Sequence, residues 1–194
     1  MTKKKAKYFF EEFIGENAAE FFSLAQSGSA RNNFVGKSST QKYIITTNEN
    51  LAENESFYYF SAVFSELELN TPQIFKISQD RTMYVQEFLG AQTLSEIIAK
   101  DGLSTRTKSL IKETLQKLFT LQTKTADAID YSKTFEYETY DELPILNDLF
   151  YFKSFIADVL EIPYHKSALL LEFKKLVSLL ENLEPKGMMI RDFQ

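Results

Sequence analysis

After Gly90 the chain loses every trace of strand-type alternation, and each later apolar stripe has helical spacing. That change divides the chain into a β-rich lobe and a helical lobe, with a short linker near Phe88–Ala91. In the rear part, "TLSEIIAK" places Thr93 as an N-cap with Glu96 three residues on, the spacing of a capping box, and Asp101-Gly102 ends that helix. Thr105 to Thr123 puts Ile111, Leu115 and Leu118 on one face. Pro144 starts a further helix in which Ile145, Leu149, Phe152, Ile156 and Val159 keep a 4-3-4-3 spacing up to Pro163. His165 to Leu183 repeats the pattern with Leu169, Phe173, Leu176 and Leu180. Glu184-Pro185-Lys186-Gly187 then breaks the chain before Met188–Ile190 and Arg191-Asp192.

The front part is mixed. Lys5 to Leu24 reads as one or two short helices broken near Gly15, with Phe9, Phe13, Phe21 and Leu24 near helical spacing. A small, polar stretch comes next, then a β-branched run over Lys42–Thr47, which together predict a hairpin turning near Lys37–Gln41. Leu51 to Leu67 reads as a helix entered past Asn48 and Asn50, with Phe57, Phe60 and Phe64 as its stripe. A strand after Pro72, a turn at Gln79-Asp80-Arg81 and a strand from Thr82 to Phe88 complete a small antiparallel sheet with one long helix inserted. The lobes so predicted are residues 1–88 and 89–194, and so short a linker predicts that they share a cleft.

Bulk properties exclude several functions. The 194 residues carry a net charge of -5 with 25% charged residues, which argues against nonspecific binding of nucleic acid or an anionic membrane. The one basic run, Lys3-Lys4-Lys5 with Lys7, reads as the solvated start of a helix. There are no cysteines, which removes disulfides, thiolate metal sites and cysteine nucleophiles. No signal-peptide pattern and no run of about 20 apolar residues occurs, so a cytoplasmic chain is expected. His165, the sole histidine, comes after Pro163-Tyr164 at a helix start and reads as a cap or surface residue.

Four short features line up with the expected cleft. "SGSARNNF", Ser27 to Phe34, offers small residues (Ser27, Gly28, Ser29) whose backbone N–H groups can approach phosphate oxygens, and Arg31 adds charge. Glu53 and Glu55 open the inserted helix, where a buried carboxylate can orient a lysine or a metal-bound phosphate but is also what any helix start favours. "YVQEFLG" runs a strand into the linker, and the backbone of Gln86, Glu87, Phe88 and Leu89 can hydrogen-bond an adenine edge. Asp192, after an apolar piece, can act as general base or orient a hydroxyl. Each feature alone has an ordinary structural explanation.

In this order, on this plan, the chain resembles the aminoglycoside phosphotransferase-like kinases, most of all the bacterial anomeric kinases of N-acetylmuramate and N-acetylglucosamine with an "RDFQSRN"-type catalytic loop. The matching stretches are "SGSARNNF", "NENLAENESFYYFS", "TPQIFKISQDRTMYVQEFLGAQTLSEII", "ILNDLFYFKSF" and "RDFQ". The resemblance implies an α+β, protein-kinase-like fold: a small antiparallel β lobe with one inserted helix, then a mainly helical lobe. It also implies a phosphate-covering loop at "SGSARNNF", a helix carboxylate at Glu53 (Glu55 second), a hinge at Gln86–Leu89 and a catalytic aspartate at Asp192. The implied reaction moves the γ-phosphoryl of ATP to a hydroxyl of a small molecule, with Mg²⁺.

The chain departs from that pattern in three places. "KYIITTNEN" has Thr46 and Thr47 where a strand lysine is expected, and Ile190 stands where relatives carry His or Tyr. The third departure is that Gln194 comes before the metal-binding Asn and second acidic ligand of a kinase catalytic loop. The expectation is therefore the front part of a kinase without turnover of its own, showing an exposed apolar patch on the helical lobe, self-association or marginal stability. A non-catalytic kinase-like interaction module, its partner on that face, is the competing expectation; an unrelated α+β protein is the third.

Overall fold

The computed structural model describes residues 2–25 and 30–190. They form an α+β architecture in two compact units, Met1–Ile129 with Met188–Gln194, and Asp130–Gly187. The first is built on a five-stranded antiparallel sheet in the order β1-β2-β3-β5-β4. Its strands are β1 (Glu20–Ser23), β2 (Asn32–Lys37), β3 (Lys42–Thr47), β4 (Ile74–Ile77) and β5 (Met83–Glu87). Helix α1 (Thr2–Ile14) precedes the sheet, and α2 (Leu51–Glu66) links β3 to β4.

Strand side chains alternate between faces, and here the two faces differ in chemistry. Phe34, Ile45 and Val85 are cross-strand partners on one face. They join Tyr43 and, from α1, Ala6, Phe9 and Phe10 in the main core. Gly36 makes that contact possible. A Cβ there would lie 2.6 Å from the Phe10 ring and 2.7 Å from Ile45 Cδ1, so only bare backbone lets α1 sit this close.

The second half of Lys5–Leu24 is a strand, not the helix its spacing predicts. Gly15 takes a left-handed φ of 70° and donates its N–H to Glu11 O at 2.9 Å, ending α1. Phe21 then stacks on Phe34 at 5.4 Å, while Phe22 goes to the other face. Four residues are too few for periodicity to separate a strand from a helix turn.

Helix α2 is joined to the sheet by polar groups as much as by its phenylalanines. Asn50 caps it, its side chain accepting from the Glu53 N–H. Asn54 is fully buried and donates to Asn48 O at 2.8 Å and Arg81 O at 2.9 Å; Tyr58 donates to Arg81 O at 3.1 Å. The rings of Phe57 and Tyr58 meet Tyr84 of β5 at 5.0 and 5.4 Å. The buried positions are thus Asn54 and Tyr58, and the expected stripe at Phe57, Phe60 and Phe64 is only partly enclosed.

Helices α3 (Leu94–Asp101) and α4 (Thr105–Thr125) come next. The Thr93–Glu96 capping box is present, and Gly102 caps the end of α3 at φ 58°. Lys124 of α4 donates to Leu67 O at 2.6 Å, beyond the end of α2.

In the second unit, α5 (Glu142–Phe152) runs into a π-helical turn over Lys153–Ala157, and α6 (Lys166–Glu181) completes it. The 4-3-4-3 stripe fails from Phe152 onward: that side chain is itself exposed at the end of α5, and the π turn shifts the positions after it. An i→i+5 turn holds an extra residue and rotates the residues after it about the helix axis, leaving Ile156 and Val159 exposed. Phe150 meets Phe173 edge-on at 5.8 Å, with Ile145 and Val177 buried. His165 caps α6, its Nδ1 accepting from the Ala168 N–H at 3.3 Å.

Two outcomes are expected. Gly36→Ala forces α1 off the sheet and lowers stability by about 1–3 kcal/mol, read by urea denaturation; an unchanged midpoint contradicts the seating. Burial pushes the phenol pKa of both Tyr58 and Tyr84 upward, so the folded chain keeps protons that the unfolded chain releases above about pH 10. Their contribution is whole below that pH and declines as pH rises through it. Tyr58→Phe should flatten the fall in melting temperature between about pH 9 and 11 relative to wild type; parallel curves contradict it.

Candidate functional site

The sheet face opposite α1 is less apolar. Register places Asn33 beside Thr46 and Tyr84, and Val35 beside Ile44 and Gln86. Val35 and Ile44 give this face an apolar centre. At one end, Gln86 carries a buried side-chain oxygen, Oε1, that lacks a hydrogen-bond partner among the described residues. Such an atom costs about 1–3 kcal/mol unless something donates to it.

At the other end lies a charged cluster. Arg31, just before β2, puts its Nη2 2.8 Å from Glu53 Oε1, with its guanidinium 5.2 Å from the centre of the Phe57 ring. Glu53 Oε2 accepts from Asn48 Nδ2 at 2.8 Å. Asn48 is buried and fixed in turn, its N–H donating to Thr82 O at 2.9 Å and its Oδ1 accepting from the Asn50 N–H at 3.1 Å. Each oxygen of Glu53 is therefore held by a different partner, in the first turn of α2 where the helix dipole favours a carboxylate.

Glu55 is engaged elsewhere. It pairs with both Nε and Nη2 of Arg81, and the hydrogen bond from Arg81 holds its carboxyl below the usual carboxylate range. Arg81 has a left-handed φ of 58°, a strained state for a residue with a side chain. Asn54 and Tyr58 on its carbonyl and Glu55 on its guanidinium hold it there. Glu55 thus fastens α2 to the β4–β5 turn, and Glu53 is the carboxylate beside Arg31.

The strand lysine is absent, as its pattern predicts. Thr46 faces this side, is buried, and donates to Asn33 Oδ1 at 2.8 Å. At the strand's other end, Lys42 lies over the Phe88 ring at 5.6 Å. β5 ends at Glu87, whose N–H donates to Gln73 O at 2.9 Å. That N–H is directed at the β4 side, so of the residues expected to form a hinge, Phe88 and Leu89 lie beyond the ladder. Leu89 is 65% exposed, and Gly90 comes after it at φ 131°.

Ser27, Gly28, Ser29 and Asp192 lie outside the described residues, as does Arg191. Among the described residues no group of three or more His, Asp or Glu side chains is placed to hold a metal ion. No described helix is long and apolar enough to cross a membrane. A groove of about 550 Å³ between α2 and β4 is lined by Tyr58, Ser65, Gln73, Ile74 and Ile77 among others, and includes neither Arg31 nor Glu53. Sequence reasoning marks Asn48 only as part of a helix start and misses its hold on Glu53. The available signal is redundancy: one asparagine suffices as a cap, and Asn50 fills that place.

No protein-family model and no curated protein matches the chain. Solved structures do. One is the streptomycin–ATP–APH(2")-IIa ternary complex, with a TM-score of 0.53 at 12% identity, matched over 92% of this chain and 60% of that one. Another is a thermostable mutant of aminoglycoside phosphotransferase APH(4)-Ia in its apo form, with a TM-score of 0.52 at 15% identity, matched over 92% and 61%. The chain thus spans about three fifths of the length of these structures. At such identities the likeness is one of fold, and that fold is the kinase-like fold of the aminoglycoside phosphotransferases.

Proposed function

We propose that this chain supplies the nucleotide-binding part of a phosphotransferase that moves the γ-phosphoryl of ATP to a hydroxyl of a small molecule. The observation that supports it is Glu53, held between Arg31 and Asn48 at the start of α2, in a fold shared with a protein solved with ATP. In this reading residues 1–88 hold the nucleotide and 89–194 belong to the acceptor lobe. Adenine lies against Val35 and Ile44, with its amino edge toward Gln86 and the Glu87–Leu89 hinge. Ser27, Gly28 and Ser29 cover the phosphates.

Transfer breaks the bond between the γ-phosphorus and the oxygen bridging to ADP, and forms a bond to the acceptor oxygen. Asp192 takes or orients the hydroxyl proton. Mg²⁺, when bound, neutralises phosphate charge. The acceptor proposed is an amino sugar of the N-acetylglucosamine or N-acetylmuramate type, in a cytoplasmic setting and without nucleic acid. The resemblance of "RDFQ" and its companion stretches supports that choice.

Calorimetric titration of the 194-residue chain with ATP tests the reading. Saturable binding competed by ADP is expected, with no transfer of γ-label to N-acetylglucosamine by the isolated chain. Absence of saturable binding contradicts it.

A second reading, a non-catalytic interaction module, draws on the second unit. There Tyr151, Phe155, Val159, Leu171 and Leu179 are all more than half exposed, more apolar surface than single scattered residues explain. It is also the source of the self-association expected here. Sedimentation velocity should show mass rising with concentration, and Phe155→Asp should reduce that rise; a strict monomer at every concentration contradicts it.

A further inference from the structure

We infer that Arg31, gripped by Glu53, is the cation that anchors the nucleotide's phosphates, in the role a lysine on the third strand has in protein kinases. The inference rests on the nucleotide reading above and assigns the charge that reading lacks. In protein kinases a lysine on that strand pairs with a carboxylate of the next helix and with phosphate. Here the helix carboxylate is present and its strand partner is not. Thr46 stands on the inner face of β3 and turns its hydroxyl to Asn33. Lys42 lies over Phe88 at the hinge end, and Lys37 pairs with Glu20 at 2.8 Å. The cation that reaches Glu53 comes instead from the residue before β2, at 2.8 Å.

The surroundings suit an anchor rather than a chance surface pair. Both partners are mostly covered, with side chains 22% and 26% exposed. The Phe57 ring lies beneath the guanidinium, and Asn48 fixes the far oxygen of Glu53. A guanidinium has five N–H donors in one plane, so one such group can serve a carboxylate and a phosphate together. Unlike an ammonium, it offers a planar fork matched to phosphate oxygens.

The test titrates the full chain with ATP, ADP and adenosine, in wild type, Arg31→Met and Arg31→Lys, with circular dichroism melts as a fold control. Wild type should prefer ATP and ADP to adenosine. Arg31→Met should weaken both phosphate-bearing ligands about tenfold to a hundredfold and leave adenosine unchanged, with Arg31→Lys between. Unchanged ATP affinity in Arg31→Met, or a parallel loss of adenosine, overturns the inference while nucleotide binding stands. If Arg31→Met does not fold, Arg31→Lys decides by the same comparison. A wild-type chain that binds no ATP removes the nucleotide reading, and the inference with it.

Discussion

Phe10 lies on the bare backbone of Gly36, and that contact decides which side of the sheet is left for a ligand. With α1 seated there, Phe34, Tyr43, Ile45 and Val85 are enclosed in one aromatic-rich core. A strand alternates strictly, so enclosing one set commits the other. Val35, Ile44, Thr46, Tyr84 and Gln86 must all face the opposite way, and no choice of side chain on the inner face can be made independently of the outer one. The candidate site is the remainder of the core's pattern.

The inner face is ordered by polar groups where the outer face is ordered by rings. Asn48, Asn50 and Asn54 make three different connections within seven residues: to Glu53, to the first turn of α2 and to the Arg81 carbonyl. The buried amide nitrogens of Asn48 and Asn54 are both engaged, and paired buried amides favour one geometry, because leaving such a group unpaired costs more than the bond itself contributes. That is why the first turn of α2 holds Glu53 in place although its flanking phenylalanines are only partly enclosed. The left-handed Arg81 is part of the same arrangement, since its carbonyl receives two of the α2 donors.

Most of this plan was legible in the sequence. The β2–β3 hairpin, α2, the β4–β5 pair and the Thr93 capping box each rest on local patterns that the tertiary structure does not override. Three things were not. The strand at Glu20–Ser23 is four residues long and carries adjacent phenylalanines, one for each face, which mimic a helical stripe. The π turn after Phe152 changes the helical period where no residue type announces it. The partner of Glu53 was hidden because Arg31 and Glu53 are 22 positions apart, and only the β2–β3 hairpin brings them together. Arg31 was legible as a charge near phosphate and Glu53 as a helix carboxylate, but not their pairing.

Amide hydrogen exchange with and without saturating ATP tests the central claim most directly, because it locates a ligand on one face of the sheet. The account predicts added protection in residues 31–37, 42–54 and 84–89 and no change in α1 across the sheet. Protection confined to α1, to the groove between α2 and β4, or to Asp130–Gly187 alone would contradict it.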